Sequence, residues 1–380
     1  MSSLPASAVV LQVLPSLVTG GVERSTVEIA QAVAEAGGTA LVASAGGQLV
    51  SQIERAGGIH VTLPLNTKSP LGIWHNGRAL EALVRERTVS LIHARSRAPG
   101  WSAWLAGQRT GVPLVTTYHG TYSEALPFKR RYNSVMARGC IVIVASRFIA
   151  DLVASRHGVD PARIRVIPRG VDPAVFDPAA VSAGRIAKLA AQWRLPQGVR
   201  TVVLPGRLTA WKGHAVLLDA IARLGRPEVM CVLVGSHQGR HRYAEGLRRQ
   251  AVRLGIGERV RLVGPCEDMP AALALSDVVV HASTQAEAFG RVVIEAQAMG
   301  RSVIAADLGG PVETVRPGET GWRVAPNDPV ALARAIGVAL DMDPAERAAL
   351  GARARASVPT VRAMQDATLE VYRAVLAQVR

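Results

Sequence analysis

Ten short runs of Val, Ile, Leu and Ala, separated by stretches of helical periodicity, limit the folds open to this chain. Val9–Leu14, Ala40–Ala43, Val89–His93, Leu114–Tyr118 and Ile141–Ala145 make a first series. Thr201–Pro205, Met230–Val234, Val260–Val263, Val278–His281 and Val303–Ala306 make a second. An apolar run without alternation is a strand covered on both faces, and its succession with helices makes the sheet parallel. Two such series predict an α/β chain of two Rossmann-like domains in tandem. Pro168, Pro173 and Pro178 exclude a continuous helix or central strand between them. The first domain is therefore predicted over 1–178 and the second over 179–360. Segment 361–380 is expected to be a helix whose apolar residues, Met364, Ala367, Leu369, Val371, Val375 and Leu376, need a surface, with the first domain a candidate.

Composition excludes several classes. With 49% apolar residues the chain can build ordinary cores. No apolar run approaches the roughly 18 residues of a membrane span, and no basic leader precedes Arg24, so a cytoplasmic location is expected. Cys140, Cys231 and Cys266 lie far apart without a C-x-x-C pair, which supports neither disulfides nor structural zinc. The net charge of +15 is shared between the halves, +7 over residues 1–178 and +8 over 179–380. Arginines scattered along amphipathic helices read as solvated faces, and nucleic acid is not expected as a partner. Only Phe128-Lys129-Arg130-Arg131-Tyr132 groups cations with aromatic residues, as a contact with the inner face of an anionic membrane would require.

Two stretches of the second half carry chemistry. In Gly206-Arg207-Leu208-Thr209-Ala210-Trp211-Lys212-Gly213 a strand ends at glycine, and two cations follow at the sheet edge where α/β ligands bind. A guanidinium grips phosphate oxygens in pairs and an ammonium adds a point charge. The spacing lacks the G-x4-G-K-[ST] pattern of a P-loop nucleotidase. In Glu287-Ala288-Phe289-Gly290-Arg291-Val292-Val293-Ile294-Glu295, two carboxylates bracket a loop-to-helix transition. Gly290 permits close backbone approach, the following amides face an anion or hydroxyl, and each carboxylate can accept sugar hydroxyls. The apolar neighbours of Glu295 predict a largely buried helix, in which an unpaired carboxylate would call for a ligand or a partner.

Weaker signals lie elsewhere. Thr19-Gly20-Gly21 opens the first long helix, and Leu308-Gly309-Gly310 precedes a short one; plain turns account for either. His119, just past the Leu114–Tyr118 run, suits an active site or a satisfied structural role, and among the other histidines only His93 has comparable context. No H-E-x-x-H is present, and Asp341-Met342-Asp343 lies between helices, where capping is expected rather than metal binding.

Taken in order, Gly20-Gly21, Thr117-Tyr118-His119-Gly120, Val166-Ile167-Pro168-Arg169-Gly170-Val171-Asp172, Gly206-Arg207 with Lys212-Gly213, and Glu287 with Glu295-Ala296 resemble the retaining GT-B glycosyltransferases of family 4 (group 1). The resemblance covers nearly the whole chain. It implies a nucleotide diphosphate sugar, with uridine favoured, in a cleft faced by two parallel-sheet domains. Arg207 and Lys212 would neutralise the diphosphate in place of a metal, and no cofactor would be needed. Glu295 would take the ribose hydroxyls, while Glu287, Phe289, Gly290 and Arg291 would hold the transferred hexose. His119 would line the reacting centre, and Gly20 and Gly21 would contact the donor. Arg169 and Arg291 depart from the family's usual Asn and aliphatic residue, and Gly235-Ser236-His237 replaces a commoner acidic loop. The Phe128–Tyr132 segment resembles bacterial enzymes that extend lipopolysaccharide core or other envelope glycans, implying a glycan or glycolipid acceptor built on variable loops such as Lys68–Trp74 and Thr121–Arg131. Two competing readings are a sugar-nucleotide epimerase, which would consume donor without acceptor, and an inactive scaffold, which would bind no nucleotide.

Overall fold

The computed structural model describes residues 3–378 apart from Ala6, Thr19, Glu124 and Ala125. The chain divides into two compact units: Met1–Pro168 with Val361–Arg380, and Arg169–Thr360.

Seven strands build the first unit: β1 (Val9–Val13), β2 (Thr39–Ser44), β3 (Ile59–Thr62), β4 (Leu91–Ala94), β5 (Leu114–Tyr118), β6 (Ile141–Val144) and β7 (Ile164–Val166). They run parallel in the order β3-β2-β1-β4-β5-β6-β7. Six build the second: β8 (Arg200–Pro205), β9 (Val229–Val234), β10 (Val260–Gly264), β11 (Val278–His281), β12 (Ser302–Ala306) and β13 (Trp322–Val324). These too are parallel, in the order β10-β9-β8-β11-β12-β13. Each sheet is doubly wound and reverses its winding once, between β1 and β4 in the first unit and between β8 and β11 in the second. A crevice opens at the carboxyl ends of the strands at such a reversal, because the flanking connections leave in opposite directions.

All ten expected runs are strands. The three others, β3, β7 and β13, lie at sheet edges and are only partly buried. β10 is the fourth edge strand, but its five residues still carry Val260, Leu262 and Val263, whereas β3, β7 and β13 are only three or four residues long and half solvated, so they spell no recognisable run.

The join falls at Pro168 rather than Pro178. Val171 donates its amide to the Pro359 carbonyl at 2.9 Å, and Arg355 reaches Asp177 at 2.8 Å, fastening the segment after Pro168 to the end of the second unit. The last helix, Val361–Ala377, joins the first unit: Met364, Leu369, Val371, Tyr372 and Val375 enter one core with Val10, Ile29, Val33, Leu91 and Val115. Tyr372 also places its hydroxyl 2.6 Å from Nδ1 of His93, whose Nε2 lies 2.7 Å from the Thr117 hydroxyl. These polar groups are almost fully buried, and each meets a partner, as burial demands.

Candidate active site

The two motif stretches of the second unit leave adjacent strands, β8 and β11, at the reversal point of its sheet. The backbone holds them together. Gly213 follows the short helix Ala210–Lys212 with φ of 73°, and a Cβ on it would fall 1.8 Å from the Ala282 carbonyl oxygen, just past β11. Only glycine allows both the left-handed conformation and that approach. The Thr284 amide donates to the Trp211 carbonyl at 2.7 Å, closing the same seam.

Across it, Lys212 Nζ meets Glu287 Oε1 at 2.6 Å, both side chains being more than four-fifths buried. His281, the last residue of β11, places Nε2 2.7 Å from the same oxygen, and the Ser283 hydroxyl also donates to it. Burial pushes the Glu287 carboxyl up, but the hydrogen bond and charge of His281, with the charge and hydrogen bond of Lys212, outweigh it and hold the group well below the usual carboxylate range. Glu287 is thus an ionised carboxylate with one oxygen saturated and Oε2 taking no hydrogen bond among the described residues. Lys212 Nζ also lies 4.7 Å from the Trp211 ring centroid, a cation–ring contact that adds to its pairing with Glu287.

Arg207 is exposed and forms no ion pair among the described residues, so its charge is available to an incoming anion. Gly290 caps the Arg291–Ala298 helix with φ of 79°, and no acceptor among the described residues takes the amides of Phe289 and Gly290. The Gly309-Gly310 pair proves more than a turn: a Cβ on Gly310 would stand 2.3 Å from the Ala288 carbonyl oxygen, while the Gly310 amide donates to the Glu287 carbonyl at 2.8 Å. These glycines let β12's loop press against the Glu287–Phe289 backbone and fix its course.

The Glu295 side chain is buried to nearly the same degree as that of Glu287, and Arg291 Nε lies 3.5 Å from its Oε1, so a partner on its own helix compensates its charge. The i,i+4 spacing on one helix explains the pairing. His119, Gly20 and Gly21 belong to the first unit, His119 following β5 and Gly20-Gly21 opening the Gly21–Glu35 helix. Thr19 of that turn lies outside the described residues, as do Glu124 and Ala125 of the proposed acceptor loop. Asp343 caps the Pro344–Ala356 helix, accepting from the Ala345 amide at 2.8 Å, and Asp341 pairs with Arg226.

Three residues escaped the sequence reading: His281, Ser283 and His214. His281 ends a strand as His93 and His119 nearly do, so the signal that singled those out applied equally to it. His214 begins the His214–Leu224 helix immediately after Lys212-Gly213 and is fully buried, with Nδ1 3.4 Å from the Tyr243 hydroxyl. Burial, assisted by the Lys212 charge and opposed by the Thr209 and Gly206 backbone, lowers its pKa to about 4. It stays neutral in the fold while the unfolded chain takes up a proton near pH 6.5. The stability linked to it is complete above about pH 6.5 and disappears as the pH falls towards about 4, a loss of at most about 3 kcal/mol. Urea midpoints measured across that range should fall less steeply in His214→Asn than in the parent chain.

The profile described as Glycosyltransferase Family 4 matches residues 19–175, and that described as Glycosyl transferases group 1 matches residues 186–357. A D-inositol 3-phosphate glycosyltransferase of Streptomyces scabiei is 34% identical over 313 residues, covering 75% of this chain and 68% of that one. The protein of the same name from Acidothermus cellulolyticus is 33% identical, over 77% of this chain and 72% of its own. Among solved structures, a glycosyltransferase from Rickettsia africae superposes with a TM-score of 0.90 at 33% identity, over 97% of this chain and 99% of that one. HepE of Anabaena, in complex with UDP-glucose, gives 0.84 at 27% identity, over 96% and 99%. Two successive Rossmann-like domains of this kind are the GT-B architecture, and the chain belongs to the glycosyltransferases, a family 4 region being followed by a group 1 region.

Proposed function

We propose that the chain transfers a hexose from a UDP-sugar to a polyhydroxylated, anionic acceptor, with retention of anomeric configuration and without a metal ion. The observation that carries this reading is the Lys212–Glu287 pair beside exposed Arg207 at the β8/β11 reversal. Cation and carboxylate there match the two ends of a sugar diphosphate. The UDP-glucose complex of HepE supports the choice of donor.

In this reading Arg207 and Lys212 take the diphosphate and stabilise the charge that develops on it as the bond from sugar C1 to phosphate oxygen breaks. Glu287 and the amides of Phe289 and Gly290 hold the sugar, Arg291 adds its own amide, and Glu295 accepts from the ribose while sharing Arg291. An acceptor hydroxyl oxygen then bonds to C1 on the face the phosphate leaves, and its proton passes to that phosphate. His119 lines the reacting centre, Gly20 and Gly21 approach the donor, and no protein base is required.

For the acceptor, the names of the relatives favour an inositol phosphate, while the sequence resemblance favours lipopolysaccharide core or another envelope glycan. Both classes can carry phosphate. An open cleft of about 620 Å3 lined by Arg130, Arg131, Ser134, Ser155, Arg156 and His157 gives the first unit a surface suited to such an anion or to anionic lipid headgroups, with Leu126 and Phe128 exposed nearby. No helix among the described residues is long and apolar enough to cross a membrane. The reading is tested by incubating the protein with UDP-glucose, EDTA and either D-inositol 3-phosphate or a lipopolysaccharide-core fraction, and following the anomeric proton by NMR. A retained α-anomer formed in EDTA is expected with one of these acceptors. An inverted product, a requirement for divalent metal, or loss of donor independent of acceptor would refute it.

A further inference from the structure

We infer that His281 is a positioning residue for the donor sugar, fixing Glu287 so that Oε2 alone faces the sugar hydroxyls. This rests on the donor reading above and adds to it a residue outside both motifs. The ionised Glu287 carboxylate can only accept hydrogen bonds, so the hydrogen between it and His281 resides on Nε2. Oε1 receives Lys212, His281 and Ser283, as many donors as one carboxylate oxygen can take or more. Nothing remains on Oε1 for a ligand, which leaves Oε2.

The three donors differ in what anchors them. Lys212 carries its ammonium on a long flexible stem, and an arriving diphosphate competes with Glu287 for that charge. Ser283 lies on the loop past β11. His281 sits within the sheet, in register with Ala305 of β12, and is 4% exposed. Its ring packs under the start of the sugar-facing helix: a Cβ on Gly290 would stand 3.6 Å from its Nε2. Its Nδ1 is buried with no hydrogen-bond partner among the described residues, so the ring's hydrogen bonding is spent on Glu287 and Ser283. When Lys212 turns to the diphosphate, His281 keeps the buried carboxylate paired and aimed. A site held by strands in this way is more precise than one held by loops.

The test compares His281→Leu, which removes the donor, with His281→Gln, which returns an amide donor near the position of Nε2. Binding of UDP and of UDP-glucose is measured by calorimetry in the full chain, with transfer kinetics and melting temperature alongside. In His281→Leu, affinity for UDP-glucose and kcat should fall by about 10- to 100-fold, the range for a lost hydrogen bond to a charged group, while UDP affinity changes by less than about threefold. His281→Gln should recover most of both. Equal weakening of UDP and UDP-glucose together with a lowered melting temperature would mark a purely structural histidine and overturn the proposal, as would unchanged UDP-glucose binding. Wild-type protein that binds neither probe would overturn the donor reading itself, and this one with it.

Discussion

Lys212→Ala is expected to lower kcat/KM for transfer from UDP-glucose by about 100- to 1,000-fold, the loss that follows removal of one group stabilising transition-state charge. In the proposed reading the effect falls on the leaving diphosphate, whose developing charge Lys212 and Arg207 would meet. Stability should fall by only about 1–3 kcal/mol, because Glu287 keeps His281 and Ser283 as partners after Lys212 is gone. Lys212→Arg should recover only part of the activity: a planar guanidinium cannot take the place of a compact ammonium in a space that holds Nζ 2.6 Å from Glu287 and against Trp211. Steady-state kinetics together with thermal melts of both variants check this. A Lys212→Ala enzyme within about fivefold of wild type would remove Lys212 from the proposed chemistry, since even one ordinary charge-assisted hydrogen bond exceeds that factor.

Gly213→Ala should be the most disruptive single-methyl change in the second unit. Its Cβ would lie 1.8 Å from the Ala282 carbonyl oxygen and 2.7 Å from the carbonyl carbon, so the loop carrying Lys212 must move off the end of β11. The left-handed conformation alone costs about 1–2 kcal/mol with a side chain; the backbone collision raises the expected loss above about 3 kcal/mol, within the range for overpacking plus strain. Gly225→Ala supplies the control. Gly225 closes the same His214–Leu224 helix with φ of 68°, and the nearest atom to its added Cβ is 3.9 Å away, so it should show only the conformational cost. Denaturant midpoints of the two variants separate collision from backbone preference, and transfer activity should be lost in Gly213→Ala but kept in Gly225→Ala.

The strands nearest the site were the most readable part of this chain, for a physical reason. β8 and β11 are covered on both faces and therefore spell continuous aliphatic runs, and the cations and carboxylates that follow them stand out against that background. β3, β7 and β13 spell no such run because each is a short, half-solvated edge strand. What the sequence concealed at the site was the partnership between side chains. Glu295 read as a buried charge in want of a ligand or a partner, and the spacing alone did not say that Arg291, one helical turn away, is that partner. His281 read as the end of a strand, although the same position beside glycine drew notice to His119. Nothing in the spacing of residues 281, 283 and 287 reveals that His281 and Ser283 meet Lys212 at one carboxylate oxygen of Glu287. That convergence depends on the turn of Ala286–Gly290, which the approach of Gly309-Gly310 fixes from another loop.

The most direct test of the account is calorimetric titration of UDP into the wild-type chain and into the Arg207→Ala/Lys212→Ala variant, both in EDTA. If the two cations hold the diphosphate, wild type binds one UDP per chain without metal. The double variant should then bind at least about 100-fold more weakly, the loss of two charge-assisted contacts. Wild-type binding that requires a divalent ion, or a double variant that binds UDP as tightly as wild type, would contradict it.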